Sequence, residues 1–258
     1  MDYLLDGRPS DSQMRIASVF IALFSLTGVL ALHLQHIYHV GCGSPFNTIN
    51  LELALNAWVD SLTGATRLIV LRGIHLETPG AANLRLAFLT TRLLLQRIQL
   101  EDNREQHDGL DERVVNRYAD ARRTSEDIVI LTQELQLEQL GDFWMSISAF
   151  AFSSTANFLL RCALETNRSP EAVVCSGSFE IANELITTLK THRDAYGWEL
   201  GDVCLAQHTE MIDKISTAVA TDHHPRSGTA DVQQFVLPDA SIIDQLFPSL
   251  WDPLQNAW

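Results

Sequence analysis

A chain of 258 residues is long enough for one large helical domain or two small ones, and one domain is the simpler reading. Its 46% apolar and 19% charged residues are ordinary for a water-soluble globular protein, while a net charge of −14 excludes a field that would by itself gather nucleic acid or an anionic membrane. The four cysteines, Cys42, Cys162, Cys175 and Cys204, are too widely spaced for a zinc motif and fall mostly in apolar helical patterns. They are expected to be free buried thiols in a reducing compartment.

The first apolar run, Ile16 to Leu32, starts behind a mixed-charge segment with Asp2, Asp6, Arg8, Asp11 and Arg15, which is not the layout of a cleavable signal. It predicts a helix from about Met14 to Tyr38, stopped by Gly41-Cys42-Gly43-Ser44-Pro45; a membrane anchor is the alternative its length allows. His33, His36 and His39 drift round that helix and have no flanking carboxylate. They read as partly exposed histidines complementing the C-terminal dipole rather than as metal ligands.

A second helix is predicted from about Leu51 to Leu62, with Asn50 as its cap and Gly64 as its stop. A third follows Thr78-Pro79 and carries Leu84, Phe88, Leu89, Leu93, Leu94 and Ile98 on one face. The charged segment Glu101–Asp127 mixes both signs and reads as a solvated connection and an exposed helix face. Core spacing of Ile128, Leu131, Leu135 and Leu140 predicts a helix from about Arg117 to Leu140, running straight into the next one.

That next stretch, Gly141 to Thr166, has no charge between Asp142 and Arg161, and its large apolar side chains fall on every face of a helix. It is expected to be the buried central helix, opened by Asp142 and closed near Arg161 and Glu165, with Trp144 in the core. Its serines and threonines fit close helix packing better than a membrane span. Pro170 restarts the chain as the first residue of a helix reaching about Leu189, and a last helix spans about Asp202 to Val219. With no strand pattern and no repeat, the class is all-α, a multi-helix domain.

After Ser227 no Lys, Arg or His occurs, and aspartates alternate with large apolar residues between prolines. The chain therefore divides into residues 1–220 and an acidic-hydrophobic tail, residues 221–258. Two readings of the tail stand: a segment that folds on a coactivator, or one packed back on the helices through Phe235, Phe247 and Trp251. The sequence contains no phosphate-cradling glycine loop, nucleophile elbow or metalloprotease helix, so no catalytic, cofactor-binding or metal residue is assigned. Asp222-His223-His224, with His208 and Glu210 upstream, is the best metal candidate and reads as an exposed polar turn.

Gly141-Asp142-Phe143-Trp144, then Phe152-Ser153-Ser154 and Leu159-Leu160-Arg161-Cys162-Ala163-Leu164-Glu165-Thr166, resemble the fungal-specific transcription factor domain of zinc-cluster regulators, and most of all its cutinase transcription factor subgroup. Gly7-Arg8-Pro9-Ser10, the helix with Leu55, Trp58 and Leu62, and Leu93-Leu94-Leu95-Gln96-Arg97 resemble further landmarks, although the proline the family places after each of the last two is missing. The resemblance covers roughly residues 7–215 and puts Met1 inside the family domain, so the chain is expected to be an N-terminally shortened member. It implies a nuclear, non-enzymatic regulator of RNA polymerase II transcription, of lipid, carbon or secondary-metabolism genes, with coactivators bound through the tail and homodimerisation as a further partnership. DNA would be reached only through the family's six-cysteine zinc cluster, which this sequence lacks; at net charge −14 the chain is not expected to bind DNA alone. Trp144, Phe158 and Arg161 are the candidate lining of an effector pocket, Arg161 facing a carboxylate such as a fatty acid or else pairing with Glu165. The rival reading is a stand-alone helical small-molecule binder or enzyme.

Overall fold

Ser10 opens the first helix with a reciprocal cap: its hydroxyl accepts from the Gln13 amide at 3.2 Å, and the Gln13 side chain accepts from the Ser10 N–H at 2.9 Å. The computed structural model describes residues 10–38, 47–106, 112–145, 147–166 and 170–222, and among them all regular structure is helical. The helices are α1 Asp11–Tyr38, α2 Thr48–Ser61, α3 Gly64–Arg72, α4 Ala81–Gln106, α5 Glu112–Glu134, α6 Leu137–Leu140, α7 Ser148–Thr166, α8 Pro170–Val174, α9 Gly177–Tyr196 and α10 Asp202–Asp222. Residues 223–258, which are the tail apart from the last two residues of α10 and include His223 and His224, lie outside the described residues, as do His39 and Cys42.

Several predicted boundaries shift for identifiable reasons. Asn47, not Asn50, caps α2, its side-chain oxygen accepting from the Ile49 N–H. Gly64 does not stop a helix but begins α3, which the sequence reading lacks altogether. α3 closes at Gly73, left-handed at φ +66, whose N–H returns to the Ile69 carbonyl at 3.0 Å. Pro79 stands outside α4, because Gly80 at φ +81 cannot be helical and α4 starts one residue later. The helix foreseen from Pro170 to Leu189 is two helices: Ser176 interrupts it and caps α9, accepting from the Phe179 N–H.

The largest correction concerns the stretch read as the central helix. Residues 141–145 and Ile147 are not helical, and α7 begins only at Ser148. Within α7 the expectation of burial holds for one face, where Ala151, Phe152, Thr155, Ala156, Leu159, Leu160 and Ala163 are all fully buried. Burial is not all round, however: Phe143 and Phe150 are 58% and 61% exposed.

A second helix shares the centre. α4 packs on α1, α2 and α3 at the front, on α5 beside it and on α7 behind, while α7 also carries α8, α9 and α10. α4 reads as amphipathic because Arg85, Arg92 and Arg97 interrupt it, yet two of these guanidiniums are spent inside the structure. Arg85 donates to the Val70 carbonyl at the end of α3, and Arg97 donates to the Ser154 hydroxyl of α7 at 2.7 Å. Desolvation lowers both arginines below their ordinary value, opposed by Asp127 at Arg85 and by Glu101 at Arg97. Neither loses its charge, since a guanidinium cannot be deprotonated in a protein.

Candidate functional site

Two features stand out: the turn that joins the front and rear helices, and a cleft on the front. At the turn, one Asp142 carboxylate oxygen accepts from the Gly80 N–H and the other from the Phe143 N–H at 2.8 Å. Asn83 of α4 fixes the same turn from both sides, donating to the Phe143 carbonyl at 3.3 Å, with the Ser148 hydroxyl 3.1 Å from its amide oxygen. Trp144 is half-buried; its indole N–H donates to the Gln139 carbonyl at 3.0 Å, and its ring meets Trp198 edge-on at 5.4 Å. Phe152 and His192 meet the same Trp198 edge-on, so an aromatic cluster anchors α9 to α7.

Trp144, Phe158 and Arg161 do not share a site. Phe158 stacks on Tyr118 of α5 at 6.4 Å, whereas Trp144 belongs to the Trp198 cluster. From Ser148 to Phe158 the helix rises about 15 Å, which leaves Trp144 at one end of α7 and Phe158 and Arg161 towards the other. Arg161 lies close enough to Arg97 to lower its pKa, and the Glu165 side chain is outside the described residues.

Of the three histidines read as partly exposed, His36 is so, His39 lies outside the described residues, and His33 departs from the expectation. His33 is fully buried, not partly exposed, with Nδ1 2.8 Å from the Val29 carbonyl. Desolvation lowers its pKa, chiefly, with the neighbouring charge of His36 adding to the effect. His192 Nε2 sits 2.8 Å from the Thr132 carbonyl. Among the described residues no group of three His, Cys, Asp or Glu could hold a metal ion.

His208 forms the arrangement that most resembles reaction chemistry. Its Nε2 lies 2.7 Å from the Asn157 amide oxygen, and its Nδ1 is 2.9 Å from the Cys204 carbonyl and 3.8 Å from the Cys204 Sγ. A cysteine, a histidine and an asparagine in line can make a nucleophile when the thiol gives its proton to the imidazole. Here burial acts against both halves of that transfer: the thiol is pushed up to about 12 and the imidazole is lowered. Burial thus disfavours the thiolate–imidazolium pair inside the packing of α7 and α10, and the cluster serves that packing. Cys162 is buried as expected; Cys175 is exposed, which corrects the reading of uniformly buried thiols.

The cleft is bounded by the first two turns of α1, the first turns of α3 and the loop between α3 and α4, and encloses about 910 Å³. Met14, Val19, Ile69 and Pro79 form apolar walls, and Ser18, Thr63, Thr66 and Thr78 supply hydroxyls. Charges of both signs line it: Asp11 and Arg15 from α1, His75 and Glu77 from the loop. His75 is left-handed at φ +66, alone among the described non-glycine residues, and its Nδ1 is 3.2 Å from the Glu77 carboxylate. A backbone N–H is the main cause that holds Glu77 below the usual carboxylate range, with His75 and Arg15 adding to it. Strain of this kind gathers where a loop is fixed for binding. The volume falls in the small-molecule range, and the balanced lining suits a polar, weakly charged organic molecule with one apolar face. Sequence reasoning missed this cleft, since only Asp11 and Arg15 drew notice, and as part of a leading charged segment. Compared with family models, with curated proteins and with solved structures, the chain matches none of them.

Proposed function

We propose that the chain is the regulatory, non-DNA-contacting portion of a fungal zinc-cluster transcription factor, acting in the nucleus on RNA polymerase II transcription of lipid, carbon or secondary-metabolism genes. One observation carries this reading. The Gly-Asp-Phe-Trp wording on which the resemblance rests occupies the joint of the fold, where Asp142 takes the Gly80 N–H and Trp144 packs on Trp198. A signature of that kind has a structural reason to exist in a family of non-enzymatic helical domains: it ties a front layer to a rear layer. The cleft then serves as the effector site, and the acidic tail as the contact for coactivators. Net charge −14 supports leaving DNA contact to other residues.

The test is to fuse residues 228–258, free of the helices, to an unrelated DNA-binding domain in a fungal host and read a reporter. Activation above the unfused domain is the expected result; a reporter that stays silent at equal protein level sinks the proposal. A second reading, a stand-alone helical small-molecule binder, is favoured by the cleft alone. It predicts thermal stabilisation by a polar metabolite together with a silent fusion.

A further inference from the structure

Helix α1 is apolar on both sides. Val19, Leu23, Leu26, Val29 and Ile37 are buried on its inner face, towards α2, α3 and α4. The opposite face repeats at helical spacing as Ala17, Phe20, Ile21, Phe24, Gly28 and Ala31, with Ile21 68% and Phe24 80% exposed. A Cβ added to Gly28 would meet nothing within 4 Å, so the strip is open in its middle. No Asp, Glu, Lys or Arg occurs from Ile16 to Tyr38. An uncharged apolar strip of this length is not ordinary free surface.

Size decides between occupants. A 28-residue helix is about 42 Å long and offers a strip roughly 10 Å wide, so two copies packed strip to strip would bury roughly 800 Å² in total. Stable interfaces between separate chains begin at about 1,200 Å². A segment of the same chain needs far less, because a short tether holds it at an effective concentration of roughly millimolar. α1 is long and apolar enough to cross a membrane, but crossing would strip its buried face from α2, α3 and α4. Lying on a membrane surface fits worse, since an interfacial helix relies on a basic polar face and anionic lipid, and this chain carries −14.

The chain supplies a matching segment. Beyond Ser227 it has Phe235, Ile243, Phe247, Leu250, Trp251 and Leu254 among the aspartates Asp231, Asp239, Asp244 and Asp252. In a molecule of strong negative charge, a strip without acids is where such a segment meets least repulsion. The reach suffices. α10, which ends at Asp222, packs on α7, α7 on α4 and α4 on α1. Three steps of 8–10 Å between axes and the radius of α1 make about 30–35 Å, and residues 223–234 extend to about 40 Å. We propose that residues 235–258 dock in cis on the outer face of α1, centred on Phe24. Docking would withdraw from coactivators the same apolar side chains that bind them, a consequence that rests on the regulatory reading; the docking itself does not.

The test uses the full chain at a concentration where light scattering shows a monomer. With Phe24→p-benzoylphenylalanine, photolysis should give a product of monomer mobility whose linked peptide maps within residues 235–258. Separately, Phe24→Asp, at a position too exposed to disturb the fold, should raise chymotryptic cleavage after Phe235 and Trp251 about tenfold, with a fall in melting temperature of only a few degrees from the loss of the docking itself. A crosslinked dimer, links to other regions only, or an unchanged cleavage rate overturns the proposal. Each result reads contact rather than transcription, so a failure here leaves the reporter test of function untouched.

Discussion

Replacing Asp142 by alanine tests the joint of the fold. The substitution removes a charged acceptor from two backbone donors, the N–H groups of Gly80 and Phe143. Gly80 is buried, and its left-handed φ of +81 points the peptide at that carboxylate, so its donor is left without a partner. Loss of a hydrogen bond to a charged group costs about 1.5–3 kcal/mol, and the exposed Phe143 N–H adds little because water reaches it. A total of about 2–3 kcal/mol is expected against the 5–15 kcal/mol that typically holds a domain together. For a chain of this size that is a fall in melting temperature of roughly 5–10 °C. Asp142→Asn keeps an acceptor oxygen and loses the charge, so about 1 kcal/mol is expected. Urea unfolding followed by circular dichroism measures both, the midpoint moving at constant slope. Asp213→Ala, a carboxylate exposed on α10, is the control and should stay within about 0.5 kcal/mol. Equal losses from Asp142→Ala and Asp213→Ala would refute the claim that this turn ties the layers.

Phe152→Ala should cost about 3–5 kcal/mol and Trp144→Ala clearly less, since Phe152 is fully buried and Trp144 only half; a reversed order in urea midpoints contradicts the packing described. Alkylation at pH 8 mapped by mass spectrometry should modify exposed Cys175 and spare Cys204, whose thiol is pushed up to about 12; equal rates would reopen the Cys204, His208 and Asn157 cluster as a reactive site. Burial lowers His33 and His208, so the unfolded chain binds more protons below about pH 6.5. Their contribution is present above that pH and is lost as the pH falls; the urea midpoint should drop from pH 7.5 to 5.5, and His208→Gln should flatten the drop.

The all-helical class was legible because apolar spacing decides it: α1 and α10 lie within a few residues of their predicted spans. What the periodicity hid has physical causes. An apolar run says that residues will be buried, not that they will be helical, and Asp142 is drawn out of any helix cap by the Gly80 N–H that only the folded chain brings to it. α3 was missed because Gly64 looks like a stop, although Arg72-Gly73 carries an ordinary helix-end signal. Arg85 and Arg97 made α4 look half-exposed, since sequence does not reveal that a carbonyl and a hydroxyl await their guanidiniums. The cleft was beyond reach for another reason: its walls come from the start of α1 and from the distant stretch between Thr63 and Pro79, and a left-handed histidine has no sequence signal of its own.

Helix α1 is common to the cleft and to the open strip, and this limits how the two can behave. Arg15, Ser18 and Val19 line the cleft, while Phe20, Ile21 and Phe24 lie within two turns of them on the strip. The loop that completes the cleft leads through Pro79 into Gly80, whose missing Cβ would lie 3.4 Å from Val19 and 3.6 Å from Phe20. Its N–H is the one that Asp142 holds. A ligand that moves His75 or Pro79 therefore acts on the packing of Phe20 and on the joint between layers at once. If such a ligand binds the tail-docked and tail-free forms with different affinity, docking changes the ligand affinity by the same factor, because the coupling between two binding equilibria is reciprocal. Comparing ligand affinity in the full chain with that of Phe24→Asp measures the factor. A ratio of one would mean that cleft and strip share a helix without sharing any energy.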